Sequence, residues 1–222
     1  MQISDELLTT MRHCDTPTIC NAIEVAQGKR GFADFTKATM LCSAPEDGPV
    51  VGFARTAKIA GRCPPEQLPE EIRARRMGYF RSMAEGPRPA IAVIEDTDHP
   101  DCVAAWWGEV HTAVNKGLGM AGALTNGVMR DLGDLEPEFP VIAGSVGPSH
   151  GFVHVREFGT RVEVLGLSVN QGDLVHADRH GAVVVPQEVI PELGEAIGTL
   201  LSSEQLILGP ARDKDFDIEV LE

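Results

Sequence analysis

Apolar residues recur at two spacings along the chain, three to four residues apart in some segments and alternating in others. The first spacing predicts helices, which oxygen-bearing capping residues and a following proline help to delimit. The predicted helices begin at Ser4 or Asp5, after Asp15-Thr16-Pro17, at Glu66 and at Pro186 or Gln187, and the last two end at Ala84 and about Leu206.

Short runs of β-branched and apolar residues, bounded by turn residues, predict the strands. They are "VVGFARTAKIAG", "PAIAVIEDT", "GALTNG", "FPVIAGSV", "RVEVLGLSV", "DLVHAD" and "GAVVVP". The last two are predicted to join through Arg179-His180-Gly181, and the stretch from Gln27 to Gly48 is predicted to be irregular. This pattern predicts an α/β fold, a layered sandwich with a mixed central sheet, in a single domain over residues 1–222.

The segment "AAWWGEVHTAVNKGLGM" shows the helical spacing, and its glycines are predicted to end the helix. The strand "GALTNG" follows and is predicted to end in an Asn126-Gly127 turn. Gly117, Gly119 and Gly122 also spell G-x-G-x-x-G, but a dinucleotide site needs a strand before this motif and a helix after it. The order here is reversed, which argues against a nucleotide site.

The two flanks of this segment carry the candidate chemistry. Glu109 opens the predicted helix, and Arg130-Asp131 follow the next strand. If helix and strand pack as neighbours, the chain returns both flanks to one end, beside the free amides of the first helical turn. Such amides bind anions, so we expect a pocket for an acidic small molecule and a hard cation. Taken singly, each residue also has a structural explanation, as a helix-dipole partner or a surface ion pair.

Composition narrows the function classes. The formal net charge of −14 argues against nucleic acid as a partner. The arginines from Arg73 to Arg81 follow directly after Glu66, Glu70 and Glu71, a mixed-charge pattern typical of a solvated helix face. Five cysteines without C-x-x-C spacing indicate reduced thiols. No segment approaches the roughly 20 apolar residues of a membrane span, and the N-terminus does not resemble a secretion signal. We therefore expect a cytoplasmic protein.

Two histidine pairs have a spacing of four residues, which invites a zinc interpretation. His150 and His154 form one pair, and His176 and His180 the other. Their surroundings predict strand rather than the helix that such a pair needs, although a strand also places both side chains on one face. Satisfied or exposed histidines are therefore the preferred interpretation, with zinc left open.

Glu109, twenty intervening residues and Arg130-Asp131 resemble the acid-x20-Arg-Asp motif of the RraA-like family. This family includes class II pyruvate aldolases acting on 4-hydroxy-4-methyl-2-oxoglutarate and 4-carboxy-4-hydroxy-2-oxoadipate. "DTPTICNAI", "GPVVGFARTAKIAG" and "VNQGDLVHADRHGAVVVP" resemble further segments of the same family, so the resemblance spans most of the chain.

The resemblance implies an α/β sandwich that assembles as homotrimers or homohexamers, with the active site between subunits. Asp131 would be the direct ligand of Mg²⁺ or Mn²⁺, and Arg130 would bind the 2-oxo acid. The backbone amides of Val110 and His111 would hold its carboxylate, and Glu109 would hydrogen-bond water in the metal's shell. The implied activity is pyruvate aldolase, cleaving 4-hydroxy-2-oxo diacids, with oxaloacetate decarboxylation as a side activity.

Several positions depart from the family pattern, and they concern the substrate more than the metal chemistry. The acid at 109 is more often aspartate, Asn21 and Gln171 replace a common aspartate and proline, and Ala105 stands where a glycine is expected. The family also contains a non-catalytic regulator that binds and inhibits an RNA-processing enzyme, and the acidic charge is compatible with that function. A methyltransferase would need a glycine loop after its first strand, which the sequence lacks. The intact set of Glu109, Arg130 and Asp131 favours an enzyme.

Overall fold

The computed structural model describes residues 3–221. Its helices are α1 (Asp5–Arg12), α2 (Thr16–Gln27), α3 (Pro69–Ala84), α4 (Glu109–Gly117) and α5 (Leu193–Ala211), with 3₁₀ turns at Gln187–Val189 and Ile218–Leu221. Its strands are β1 (Leu41–Cys42), β2 (Val50–Ala60), β3 (Ala90–Asp96), β4 (Ala105–Trp107), β5 (Met120–Met129), β6 (Val141–Val146), β7 (His154–Phe158), β8 (Val162–Val164), β9 (Leu167–Val169), β10 (Leu174–Asp178) and β11 (Gly181–Val185).

Nine of these strands form one mixed sheet in the order β1-β6-β5-β3-β2-β10-β11, with β4 paired to β5 and β7 paired to β2. The central strands β2, β3, β5 and β6 run parallel, whereas β10 and β11 extend the sheet in antiparallel fashion. The predicted α/β class with a mixed central sheet is therefore confirmed. β8 and β9 form a separate two-stranded hairpin.

Helices cover one face of the sheet and the β8–β9 hairpin covers the other. On β3, Ala92 and Ile94 pack in the cluster that contains α3, while the alternate residues Ile91 and Val93 pack with the hairpin. α1, α2 and α5 form a further apolar cluster against one end of the helical face. Because the central strands are buried on both sides, they read as nearly continuous apolar runs in the sequence.

The helix predicted from Ala104 is wrong in its first part. Trp106 and Trp107 lie in the short strand β4, which pairs with β5, and both indoles are almost completely buried. Gly108 has an extended backbone (φ −142°, ψ −175°), so the helix begins only at Glu109. A buried strand followed directly by an amphipathic helix reproduced the spacing of one longer helix.

The turn predicted at Asn126-Gly127 is also wrong, because β5 continues through both residues to Met129. The Asn126 amide accepts from the backbone N–H of Asp96 (2.7 Å) and donates to its carbonyl (3.0 Å), replacing main-chain pairing between β5 and β3. The register of β5 against β6 shifts at this point, between Thr125 and Val128. Asparagine followed by glycine therefore belongs to an irregularity inside a strand.

Other sequence-based boundaries differ by smaller amounts. The strand predicted in "RVEVLGLSV" is the β8–β9 hairpin, because Leu165 and Gly166 both adopt positive φ (48° and 82°) and reverse the chain. α3 begins at Pro69 rather than Glu66, and α5 extends to Ala211. None of the helices that the structure describes is long and apolar enough to cross a membrane.

Candidate active site

The unit β4–α4–β5 brings the two flanks of the central segment together. β4 leads through Gly108 into α4, and Gly119, with φ 84°, turns the chain back into β5. β5 then pairs with β4 at its far end, where the N–H of Arg130 donates to the carbonyl of Trp107 (2.8 Å). The first turn of α4 and the residues after β5 therefore lie at the same end of the sheet.

Asp131 contacts the N-terminus of α4 directly. Its Oδ2 accepts from the backbone N–H of Glu109 (3.2 Å) and lies 3.6 Å from Nε of Arg130. The Asp131 backbone has φ 55°, and its carbonyl accepts from the N–H of Asp134 (2.8 Å), which holds the turn. Both charged side chains are about one-third exposed, so the carboxylate lies at the positive end of the helix while remaining open to solvent.

Gly108 permits this close approach. A β-carbon there would overlap Oδ2 of Asp131 and would lie 3.0 Å from Nε of Arg130. That Nε is buried and has no hydrogen-bond partner among the described residues. The first-turn amides of Val110 and His111 have no carbonyl one turn earlier in α4 and remain as donors at this end. The geometry therefore groups one carboxylate, one guanidinium and helix amides.

A cavity of about 410 Å³ adjoins Arg130. Its polar lining consists of two arginines and three histidines, and none of the carboxylates that the structure describes lines it; the polar residues are Arg76, His111, Arg130, His150 and His154. Trp106, Ile72 and Phe152 contribute apolar walls. In a chain of net charge −14, a cavity with arginines and no acid favours an anionic ligand.

The imidazole of His111 forms an uncharged part of the cavity wall. Its ring lies between Trp106 and Phe80, with centroid distances of 4.0 and 6.1 Å. Burial, followed by the charges of Arg76 and Arg130 and by His150, lowers the pKa of His111 to about 4. At neutral pH the ring is therefore neutral, and the fixed positive charge of the cavity comes from the two arginines.

The lowered pKa of His111 predicts an acid-sensitive stability. In the unfolded chain the His111 imidazole takes up a proton near pH 6.5, but in the folded chain only near pH 4. Its contribution to folding stability is therefore fully present above pH 6.5 and is lost as the pH falls toward 4. We expect the free energy of unfolding to fall with decreasing pH in this range more steeply for the wild type than for His111→Gln. The two slopes should differ by up to about 1.4 kcal/mol per pH unit.

Urea unfolding from pH 7.5 to 4.5 measures this difference. Burial also lowers the pKa of His176, but that residue is present in both proteins, so the difference between the two curves isolates His111. Parallel curves for the wild type and His111→Gln would contradict the proposed environment of the ring.

The two histidine pairs differ in their surroundings. His150 and His154 line the cavity, and Nδ1 of each lies within hydrogen-bonding distance of a backbone carbonyl, of Gly151 (2.7 Å) and Phe152 (2.9 Å) respectively. His176 is buried and uses both ring nitrogens, while Nδ1 of His180 contacts Asp178. Among the side chains that the structure describes, residues 3–219, there is no group of three or more His, Cys, Asp or Glu that could hold a metal ion.

Sequence reasoning missed the outer part of the cavity. Arg76 belongs to α3, in the segment interpreted as a solvated helix face, and His150 lies in the loop before β7. The packing of α3 against β7 assembles this wall from segments far apart in the chain. The spacing of charges in the sequence gave no signal that separates Arg76 from its neighbour Arg75.

Comparison with known proteins identifies the family. The family model RraA-like (Aldolase/RraA) matches residues 16–184. A Halalkalibacterium halodurans protein with the provisional name 4-hydroxy-4-methyl-2-oxoglutarate aldolase is 22% identical over 223 residues, covering 100% of this chain and 89% of that protein. The uncharacterized protein MJ0644 of Methanocaldococcus jannaschii is 30% identical over 105 residues, which are 46% of this chain and 50% of its own length.

Among solved structures, RraAS2 of Streptomyces coelicolor has a similar fold, with a TM-score of 0.67 and 20% identity. The match covers 96% of this chain and 99% of RraAS2, which is described as an unusual member of the RNase ES inhibitor RraA protein family. Relatives of this fold thus carry names from both an enzymatic and an inhibitory class. The family model covers most of the chain and confirms the prediction from the sequence motifs: this chain belongs to the RraA-like family.

Proposed function

We propose that this chain is a divalent-metal-dependent pyruvate aldolase that cleaves 4-hydroxy-2-oxo diacids of the 4-hydroxy-4-methyl-2-oxoglutarate type and also decarboxylates oxaloacetate. One observation carries the proposal: Asp131, Arg130 and the first-turn amides of α4 meet beside a cavity without carboxylates. A hard cation next to an anion-binding cavity is what a 2-oxo acid requires, because it presents a carboxylate and a keto oxygen side by side.

The donor set at this end fits Mg²⁺ or Mn²⁺. Asp131 offers a partly exposed carboxylate, and among the described residues only its Oδ2 is engaged, by the amide of Glu109 and the guanidinium of Arg130. The nearby side chain of Glu109 is also a hard oxygen donor, and such oxygens suit Mg²⁺, which keeps several waters in its shell. When bound, the ion would supply Lewis-acid stabilisation of the negative charge that develops on the 2-oxo group.

The side chains of this site would bind and orient the 2-oxo acid. Arg130 presents a planar fork that can hold carboxylate or enolate oxygens with two parallel bonds, and its buried Nε is a donor without a partner among the described residues. The amides of Val110 and His111 would donate to the substrate carboxylate. Together these donors would hold the substrate with the bond between C3 and C4 beside the cavity.

Aldol cleavage breaks the C3–C4 bond, moves its electrons onto the pyruvate enolate and removes the proton of the C4 hydroxyl. We assign Glu109 to orient the water that accepts this proton, because its side chain is exposed at the same helix terminus. Oxaloacetate loses carbon dioxide from C4 and has no such hydroxyl. The two reactions therefore share Arg130 but differ in their need for Glu109.

Pyruvate release from oxaloacetate tests the proposal. We expect turnover with added Mg²⁺ or Mn²⁺, loss of turnover with EDTA, and recovery when the metal is returned. The rate of pyruvate release must exceed the rate at which the metal alone decarboxylates oxaloacetate, measured without protein. A protein that stays inactive on oxaloacetate and on 4-hydroxy-4-methyl-2-oxoglutarate with either metal would refute the proposed activity.

Glu109→Gln is expected to separate the two reactions. The amide keeps the size of the side chain but cannot act in proton removal, so aldol cleavage should fall by about ten- to a hundredfold while oxaloacetate decarboxylation changes much less. Steady-state kinetics with both substrates measure the split. An equal loss in both reactions would show that Glu109 supports binding or structure instead.

Assembly into homotrimers or homohexamers is part of the proposal. Apolar side chains that are about half exposed or more surround the end of the sheet that carries the site; they are Val110, Leu132, Val146 and Phe152. Exposed apolar patches of this kind often mark contact surfaces. A neighbouring copy packed there would shield the site from water.

A non-catalytic regulator that binds an RNA-processing enzyme is the alternative function. The similarity to RraAS2 concerns the fold, and an inhibitor that acts by surface contact has no need for Asp131 and Arg130 at a cavity. Failure of the pyruvate assay would leave this alternative as the better explanation.

A further inference from the structure

We infer that the cavity beside Arg130 binds both ends of a dicarboxylate and that Arg76 holds the carboxylate distal to the 2-oxo group. The inference rests on the proposed function in one respect, since it places the 2-oxo acid end at Arg130. It adds a residue that selects the substrate and that lies outside the β4–α4–β5 unit.

The placement of the two arginines supports this assignment. Arg76 projects from α3 and Arg130 follows β5, yet both line the same cavity of about 410 Å³. The two arginines therefore reach one cavity from different elements and offer separate sites for two carboxylates.

Arg76 has no competing role in the described part of the chain. It forms no ion pair with any residue from 3 to 219, although glutamates occur earlier on the same helix. Among the residues that the structure describes, no carboxylate lines the cavity, and the two arginines supply two positive charges there. A diacid carries the two negative charges that would balance them.

The remaining polar lining suits a hydroxyl group. Nδ1 of His150 and of His154 lies against a backbone carbonyl, which can only accept a hydrogen bond, so Nε2 of each ring is the nitrogen left for a ligand. A hydroxyl on a chain between the two carboxylates could donate to such a nitrogen. The cavity as a whole thus matches a hydroxylated dicarboxylate better than a monocarboxylate with an apolar tail.

Binding of two non-cleavable probes tests the assignment. 2-Oxoglutarate carries a distal carboxylate, whereas 2-oxobutyrate lacks one, and both are titrated calorimetrically into the full-length protein with Mg²⁺. We expect Arg76→Gln to lower the affinity for 2-oxoglutarate by about ten- to a hundredfold, because one charge-assisted hydrogen-bonding partner is lost. The affinity for 2-oxobutyrate should not change. Arg73→Gln removes the same charge from an exposed position of α3 outside the cavity lining and should change neither affinity.

The possible results separate the inference from the proposed reaction. Equal weakening of both probes, no weakening of either, or no binding of 2-oxoglutarate to the wild type would each overturn the role of Arg76. An Arg76-dependent preference for 2-oxoglutarate in a protein that releases no pyruvate would keep the dicarboxylate site and reject the aldolase. Pyruvate release by a protein without that preference would support the aldolase and reject the dicarboxylate site.

Discussion

Replacing Arg130 by lysine is expected to lower kcat/KM for oxaloacetate by about a hundredfold or more, although the charge is retained. Lysine offers a single ammonium at the end of a flexible chain, so it cannot reproduce two parallel bonds to a carboxylate. It also lacks the Nε donor that Arg130 holds near Gly108 and Asp131. Pyruvate release over a range of substrate concentrations gives kcat and KM separately.

Arg156→Lys is the matched control for this change. Arg156 is exposed on β7, outside the cavity lining, and its conservative replacement should leave the kinetics unchanged. Thermal unfolding of both variants checks that neither has lost its fold. Kinetics of Arg130→Lys equal to those of the wild type would remove Arg130 from the proposed chemistry.

Gly108→Ala is expected to reduce turnover by about a hundredfold while changing stability little. The added β-carbon would displace the Asp131 carboxylate and press on Nε and Cγ of Arg130, at 3.0 and 3.1 Å. These atoms belong to side chains that are partly exposed and can move. The substitution should therefore change the positions of Asp131 and Arg130 more than it changes the free energy of unfolding. Misplacement of a catalytic group by about 1 Å can by itself cost about a hundredfold in rate.

Gly117→Ala provides the control at the other end of α4, where an added β-carbon would meet no atom within 4 Å. Its activity should equal that of the wild type, with stability unchanged or raised by up to about 1 kcal/mol. Wild-type kinetics in Gly108→Ala would show that the contact of Asp131 with the start of α4 is not needed for the reaction.

The placement of Glu109 next to Asp131 could be predicted from the sequence because the argument used only chain direction. A helix and a strand that pack as neighbours return the chain to its starting edge, whatever the helix's true first residue. The two flanks therefore meet although Trp106 and Trp107 form a strand rather than the start of the helix. The roles assigned to Glu109, Arg130 and Asp131 stay predictions until the kinetic experiments are done.

Two features could not be predicted because they depend on contacts between segments remote in sequence. Asn126 reads as a turn residue, but in the fold its amide pairs with the backbone of Asp96 on a neighbouring strand. Arg76 reads as a solvated charge and is indeed exposed, but the packing of α3 beside β7 also makes it part of a cavity wall. The local sequence around Asn126 and Arg76 contains no information on the distant segments that these residues meet in the fold.

The origin of the two parts of the candidate site, the Asp131 end and the outer wall of the cavity beside it, suggests how substrate range could diverge in this fold. Asp131, Arg130 and the helix amides all come from one uninterrupted stretch, residues 105–131, whose relative positions follow from a single strand–helix–strand turn. Arg76, His150 and His154 come from α3 and the segment around the start of β7. If the proposed function holds, replacements in those outer segments would alter which acid is accepted while the residues assigned to bond cleavage stay intact, so selectivity and chemistry could evolve separately.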